Sequence, residues 1–75
     1  MMVRMTAPVA ERITIGLLPK TAKQLEDMKT STGMSKADIV NRAITLYEYV
    51  TSSIEAGDSI LIRRADGQLE QLRLI

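Results

Sequence analysis

Arg12 and Thr14 set a guanidinium and a hydroxyl two positions apart in the run Arg12-Ile13-Thr14-Ile15-Gly16-Leu17. Side chains alternate across an extended strand, so Arg12, Thr14 and Gly16 fall on one face and Ile13, Ile15 and Leu17 on the other. Such a face can donate and accept hydrogen bonds, but it offers no acid–base or nucleophilic chemistry. Paired into a two-stranded ribbon, it fits the DNA major groove, where Arg and Thr read base edges. Ser35 and Lys36 form a second cluster, at the expected start of a helix, where free N–H groups and a positive dipole end favour an anion. Groups for other chemistry are missing, since the chain has no Cys and no His. That removes disulfides, thiolate metal sites and the commonest general base. With no nucleophile–base pairing, no Gly-rich phosphate loop and no metal-ligand spacing, neither an enzyme, a metal site nor a cofactor is expected.

The strand that would carry Arg12 and Thr14 is solitary. Helical patterns follow it directly, and the next strand-like run begins only at Ser59. A lone strand leaves its backbone N–H and C=O groups unpaired, and the simplest partner is the same strand of a second copy. Size agrees with this expectation. Seventy-five residues without Phe, Trp or Cys make one small domain with a core of Ile, Leu, Val and Met. Chains this small commonly gain their missing burial by oligomerising.

Residues 1–8 read as a flexible arm ending at Pro8, followed by a strand over 10–18. Pro19 suits the first turn of a helix over 19–31. Leu18, Ala22, Leu25 and Met28 line its inner side, with Lys20, Lys23, Glu26 and Lys29 mostly outside. Thr30-Ser31-Thr32 weaken that helix, and Gly33 supplies a left-handed stop. A second helix spans 35–55. Ser35 caps it with Asp38 as a capping-box partner, and Met34 and Ile39 take the staple positions. Ile39, Val40, Ala43, Ile44, Tyr47, Val50 and Ile54 then form an apolar stripe too broad for one short neighbour.

Gly57-Asp58 ends this helix, and residues 57–75 read as a β-hairpin around Ala65-Asp66-Gly67. A two-residue loop would set Leu61 opposite Leu72 and Arg63 opposite Glu70. A three-residue loop with Gly67 in a bulge would shift that register. Both remain open on sequence alone.

The net charge is only +1, but it is unevenly spread. Through Lys36 the chain carries six Lys or Arg against three acids, and from Ala37 onward four Arg against six acids. The basic half is the half with the expected strand, which favours a polyanionic partner there.

In order and spacing, Arg12-Ile13-Thr14-Ile15, Leu17-Leu18-Pro19, Leu25-Glu26-Asp27-Met28 and Thr32-Gly33-Met34-Ser35-Lys36-Ala37-Asp38-Ile39-Val40 resemble the ribbon-helix-helix family of Arc, MetJ and CopG, over roughly residues 10–53. The resemblance implies a β-α-α fold over 9–54, mainly α, in an intertwined homodimer whose two strands form an antiparallel ribbon. It implies base contacts from Arg12, Thr14 and Gly16, and a phosphate grip by the second helix's N-terminus at Met34, Ser35 and Lys36. Arg4 on the arm is a further candidate for touching phosphate. Gly16 departs from the family pattern, where that position commonly carries a polar side chain, and the C-terminal hairpin lies outside it.

The resemblance thus implies a sequence-specific transcriptional repressor that binds double-stranded DNA as a dimer, with higher order on DNA open. Two alternatives share the same fold. One is an antitoxin whose region after residue 54 grips a toxin protein. The other is a plasmid or phage partition or copy-control factor. No run approaches eighteen apolar residues, and the first eight residues are too short an apolar stretch for a signal peptide. The expected place is the bacterial cytoplasm, at the nucleoid, with no membrane partner.

Overall fold

The computed structural model describes residues 8–73. It comprises two helices followed by a two-stranded antiparallel sheet: α1 (Pro19–Thr32), α2 (Lys36–Glu55), β1 (Leu61–Arg63) and β2 (Leu69–Gln71). The chain is mainly helical and divides into two compact units, Met1–Asn41 and Arg42–Ile75.

In the first unit, α1 starts without a side-chain cap at Leu18, and Pro19 occupies the first turn, where a missing N–H costs nothing. It stops at Gly33, whose φ of 72° is left-handed and whose N–H donates to the Lys29 carbonyl at 3.0 Å. The Thr30-Ser31-Thr32 run is compatible with helix because its hydroxyls fold back onto carbonyls one turn earlier instead of competing for the backbone elsewhere. Thr30 donates to Glu26, and both Ser31 and Thr32 donate to Met28. Ser35 then caps α2 as the sequence suggests, its Oγ accepting the Asp38 N–H at 3.1 Å. Ile39 is buried and Met34 half-buried, the burial expected of the staple positions. Leu25 is the other buried side chain of this unit, whereas Leu18 and Met28, expected beside it, are exposed.

One expected element differs. Residues 8–18 form no strand in the single chain; they run into α1 without regular structure. The reason is that a strand exists only with a ladder partner, and residues 8–17 make no backbone hydrogen bond to another described residue.

In the second unit, α2 ends in a Schellman motif. Gly57, at φ 94°, donates to the Ile54 carbonyl and Asp58 donates to Ser53. Val50 is the buried apolar residue of this unit. Along the expected stripe, Ile44, Tyr47 and Ile54 are exposed, at 57%, 60% and 41%.

The hairpin resolves the choice of register. Arg64 N–H donates to the Gln68 carbonyl at 2.7 Å and Gly67 N–H to the Arg64 carbonyl at 2.9 Å. Ala65, Asp66 and Gly67 therefore make a three-residue loop with Gly67 left-handed at φ 91°, and Asp66 Oδ1 accepts the Gln68 N–H. Leu61 pairs with Gln71, Ile62 with Glu70 and Arg63 with Leu69. The pairing of Leu61 with Leu72 and Arg63 with Glu70 is thereby overturned, because the bulge residue moves one strand by a single position.

Two substitutions test these local devices. Ser35→Ala should lower stability by about 1 kcal/mol in thermal unfolding, while Ser35→Asp, an equally good cap, should restore it. Gly67→Ala has free space for its methyl group but retains an unfavourable φ. It should weaken the cross-strand NMR contacts between Ile62 and Glu70 without affecting α2.

Candidate nucleic-acid interface

Among the described residues, the segment that carries the expected base-contacting residues is held at its α1 end. Pro19 disfavours helical backbone at the preceding residue, and Leu18 is extended at φ −66° and ψ 154°. Its carbonyl accepts the Ala22 N–H at 2.8 Å, which fixes where the chain leaves α1. From there back to Pro8 every residue is exposed, including Arg12, Thr14 and Gly16. The alternate apolar residues are exposed as well, Ile13 at 62%, Ile15 at 56% and Leu17 at 40%. An Ile-Ile-Leu edge open to water is costly, at about 25 cal/mol for each Å² of apolar surface left unburied.

Gly16 has no conformational reason to be glycine here. Its φ is not among the positive values, and an added Cβ would meet nothing within 4 Å. It offers no side chain to the expected face, so Arg12 and Thr14 carry its hydrogen-bonding groups.

At the start of α2, geometry separates the three expected phosphate contacts. Ser35 is engaged twice, its Oγ with the Asp38 N–H and its carbonyl with the Ile39 N–H at 3.1 Å. The Met34 N–H is also occupied, donating to Thr32 Oγ1 at 3.2 Å, while that hydroxyl donates onward to the Met28 carbonyl at 2.6 Å. This hydroxyl relay ties the end of α1 to the turn before α2. In the sequence Thr32 stands out only as a weak helix former, and nothing in its spacing signals the relay. With the Met34 amide used by the relay and the Asp38 amide by the cap, the first-turn N–H groups left at this end are those of Lys36 and Ala37.

Lys36 has a partner that sequence reasoning missed. Its Nζ lies 3.3 Å from Glu26 Oε2 of α1, with both side chains more than half exposed. Ten residues separate the two, so no helix-spacing rule points to the pair. An exposed pair of this kind contributes about 0–1 kcal/mol. A competing anion can displace so weak a pair at little cost. Lys23, by contrast, pairs with Asp27 at 3.0 Å along α1, which makes it an ordinary solvated helix residue. Arg4 lies outside the described residues.

Among the described residues, no group of acidic side chains could hold a metal ion, and no helix is long and apolar enough to cross a membrane. Glu26→Gln should release Lys36 and leave the protein's stability within about 0.5 kcal/mol, as measured by chemical denaturation. No protein-family model matches this chain, and no curated protein or solved structure does so either.

Proposed function

We propose that this protein is a sequence-specific DNA-binding repressor of the ribbon-helix-helix type, which dimerises through residues 9–18 and reads the major groove with Arg12 and Thr14. The observation that carries the reading is the state of residues 8–17, which lead into an extended Leu18: apolar alternate side chains in water, and backbone groups unpaired with any described residue. An antiparallel copy of the same segment satisfies both needs at once. It pairs the backbone amides and places Ile13, Ile15 and Leu17 under the ribbon, with Arg12 and Thr14 above it.

The second helix supports the same reading. Val40, Ile44, Tyr47, Thr51 and Ile54 recur at helical spacing, and Ile44, Tyr47 and Ile54 are exposed. That stripe gives a second copy an apolar face to cover. In such a dimer Arg12 donates to guanine O6 and N7, Thr14 adds a hydroxyl, and Lys36 exchanges Glu26 for a backbone phosphate.

The reading is tested by footprinting and binding on the DNA upstream of the protein's own gene. Arg12→Ala should cost about 1–3 kcal/mol of discrimination between cognate and scrambled duplex. Lys36→Ala should weaken binding to every sequence alike and lower the salt slope by about one unit for each phosphate no longer neutralised. Ser35→Asp, which preserves the cap, should weaken DNA binding by placing a carboxylate where the phosphate sits. A chain that sediments as a monomer at micromolar concentration and shows no salt-dependent DNA binding would overturn the reading.

A further inference from the structure

The C-terminal hairpin sorts its charges by face. The register places Ile60, Ile62, Arg64, Gln68, Glu70 and Leu72 on one side and Leu61, Arg63, Leu69, Gln71 and Arg73 on the other. On the first side, Arg64 Nη2 lies 2.7 Å from both oxygens of Glu70, so its guanidinium is neutralised. Ile60 and Leu72 there are half-buried. The second side carries no acidic residue. Arg63 and Arg73 make no ion pair or side-chain hydrogen bond with another described residue, and every side chain of that face is exposed.

We propose that this face is a phosphate-gripping surface for duplex DNA, a second point of attachment that rests on the DNA-binding reading above. The charge pattern selects the partner. Arg73 stands four residues beyond Leu69, the pairing partner of Arg63, and two past the end of β2, so the two cations are about 13 Å apart if the chain stays extended. A single acidic side chain could answer only one of them. Each strand of a duplex presents a negative charge about every 3.4 Å of the helix axis, so one backbone answers both. Guanidinium forks match phosphate oxygens bidentately, and the Arg stems can lie along Leu61 and Leu69 while the heads reach outward. This attachment adds affinity without sequence preference, because phosphates carry no base information.

The test uses the full-length protein and a fluorescently labelled mixed-sequence duplex, with anisotropy followed from about 50 to 200 mM salt. Arg63→Gln with Arg73→Gln should make the slope of log affinity against log salt shallower by about 1.8 units per chain. Arg63→Lys with Arg73→Lys should keep close to the wild-type slope, since a point charge also binds phosphate. A wild-type slope in the Gln variant overturns the proposal while leaving the ribbon reading intact. The proposal also fails if the Lys variant is weakened as much as the Gln variant, which would indicate packing, not charge. A changed sedimentation coefficient in the Gln variant would make the face an interface between copies and would also overturn it. Wild-type protein that binds no duplex at any salt concentration would remove both readings together.

Discussion

The constraint on which the rest of this molecule depends is that every backbone amide and carbonyl needs a partner once it leaves water. Most of the described chain meets it locally. Gly33 and the Gly57-Asp58 pair close the ends of α1 and α2, Ser35 opens α2, and the hairpin pairs its own strands. Residues 8–17 are the exception, with unpaired amides on a segment whose alternate side chains are Ile and Leu. Such a segment can remain an unfolded arm or pair with another strand. The apolar alternation makes pairing the favourable outcome, because it satisfies the amides and removes apolar surface in the same step. The proposed dimer follows from that coupling more directly than from any single base-reading residue.

The turn between the helices illustrates how local polar chemistry governs what an anion could meet there. The Thr32 hydroxyl accepts from Met34 and donates to Met28, so one side chain ties the turn before α2 back to the last turn of α1. Ser35 accepts the Asp38 N–H. The cation nearest this helix start is not free but weakly held by Glu26. A weak exposed pair keeps Lys36 positioned and screened until a stronger anion competes. On the proposed reading, Glu26 competes with DNA phosphate for Lys36 at little stability cost.

In the hairpin, one position of register decides the electrostatics. Had the loop held two residues, Arg63 would face Glu70 and Arg64 would share the acid-free face with Arg73. The left-handed Gly67 adds a bulge residue, Glu70 passes to Arg64, and Arg63 is left on the acid-free side with Arg73. A conformational property of one glycine thus determines which arginine pairs with Glu70 and which joins Arg73 on the acid-free face.

Local elements were legible in the sequence because their causes are local. Pro19, Gly33, Ser35 and Gly57 mark helix ends through backbone geometry and short-range hydrogen bonds, and the structure places those ends within a residue or so of the expected positions. The alternation of Arg12, Thr14 and Gly16 with Ile13, Ile15 and Leu17 was equally plain, but pairing is a relation between segments, and no single segment encodes its partner. The same holds for the Glu26–Lys36 pair, the Thr32 relay and the hairpin register. Each joins groups whose distance depends on how a turn bends, and small differences in backbone angle decide which groups meet. Composition and spacing settled the kind of chemistry this chain can offer, hydrogen-bonding and cationic, while tertiary geometry alone decided which of its cations are already engaged.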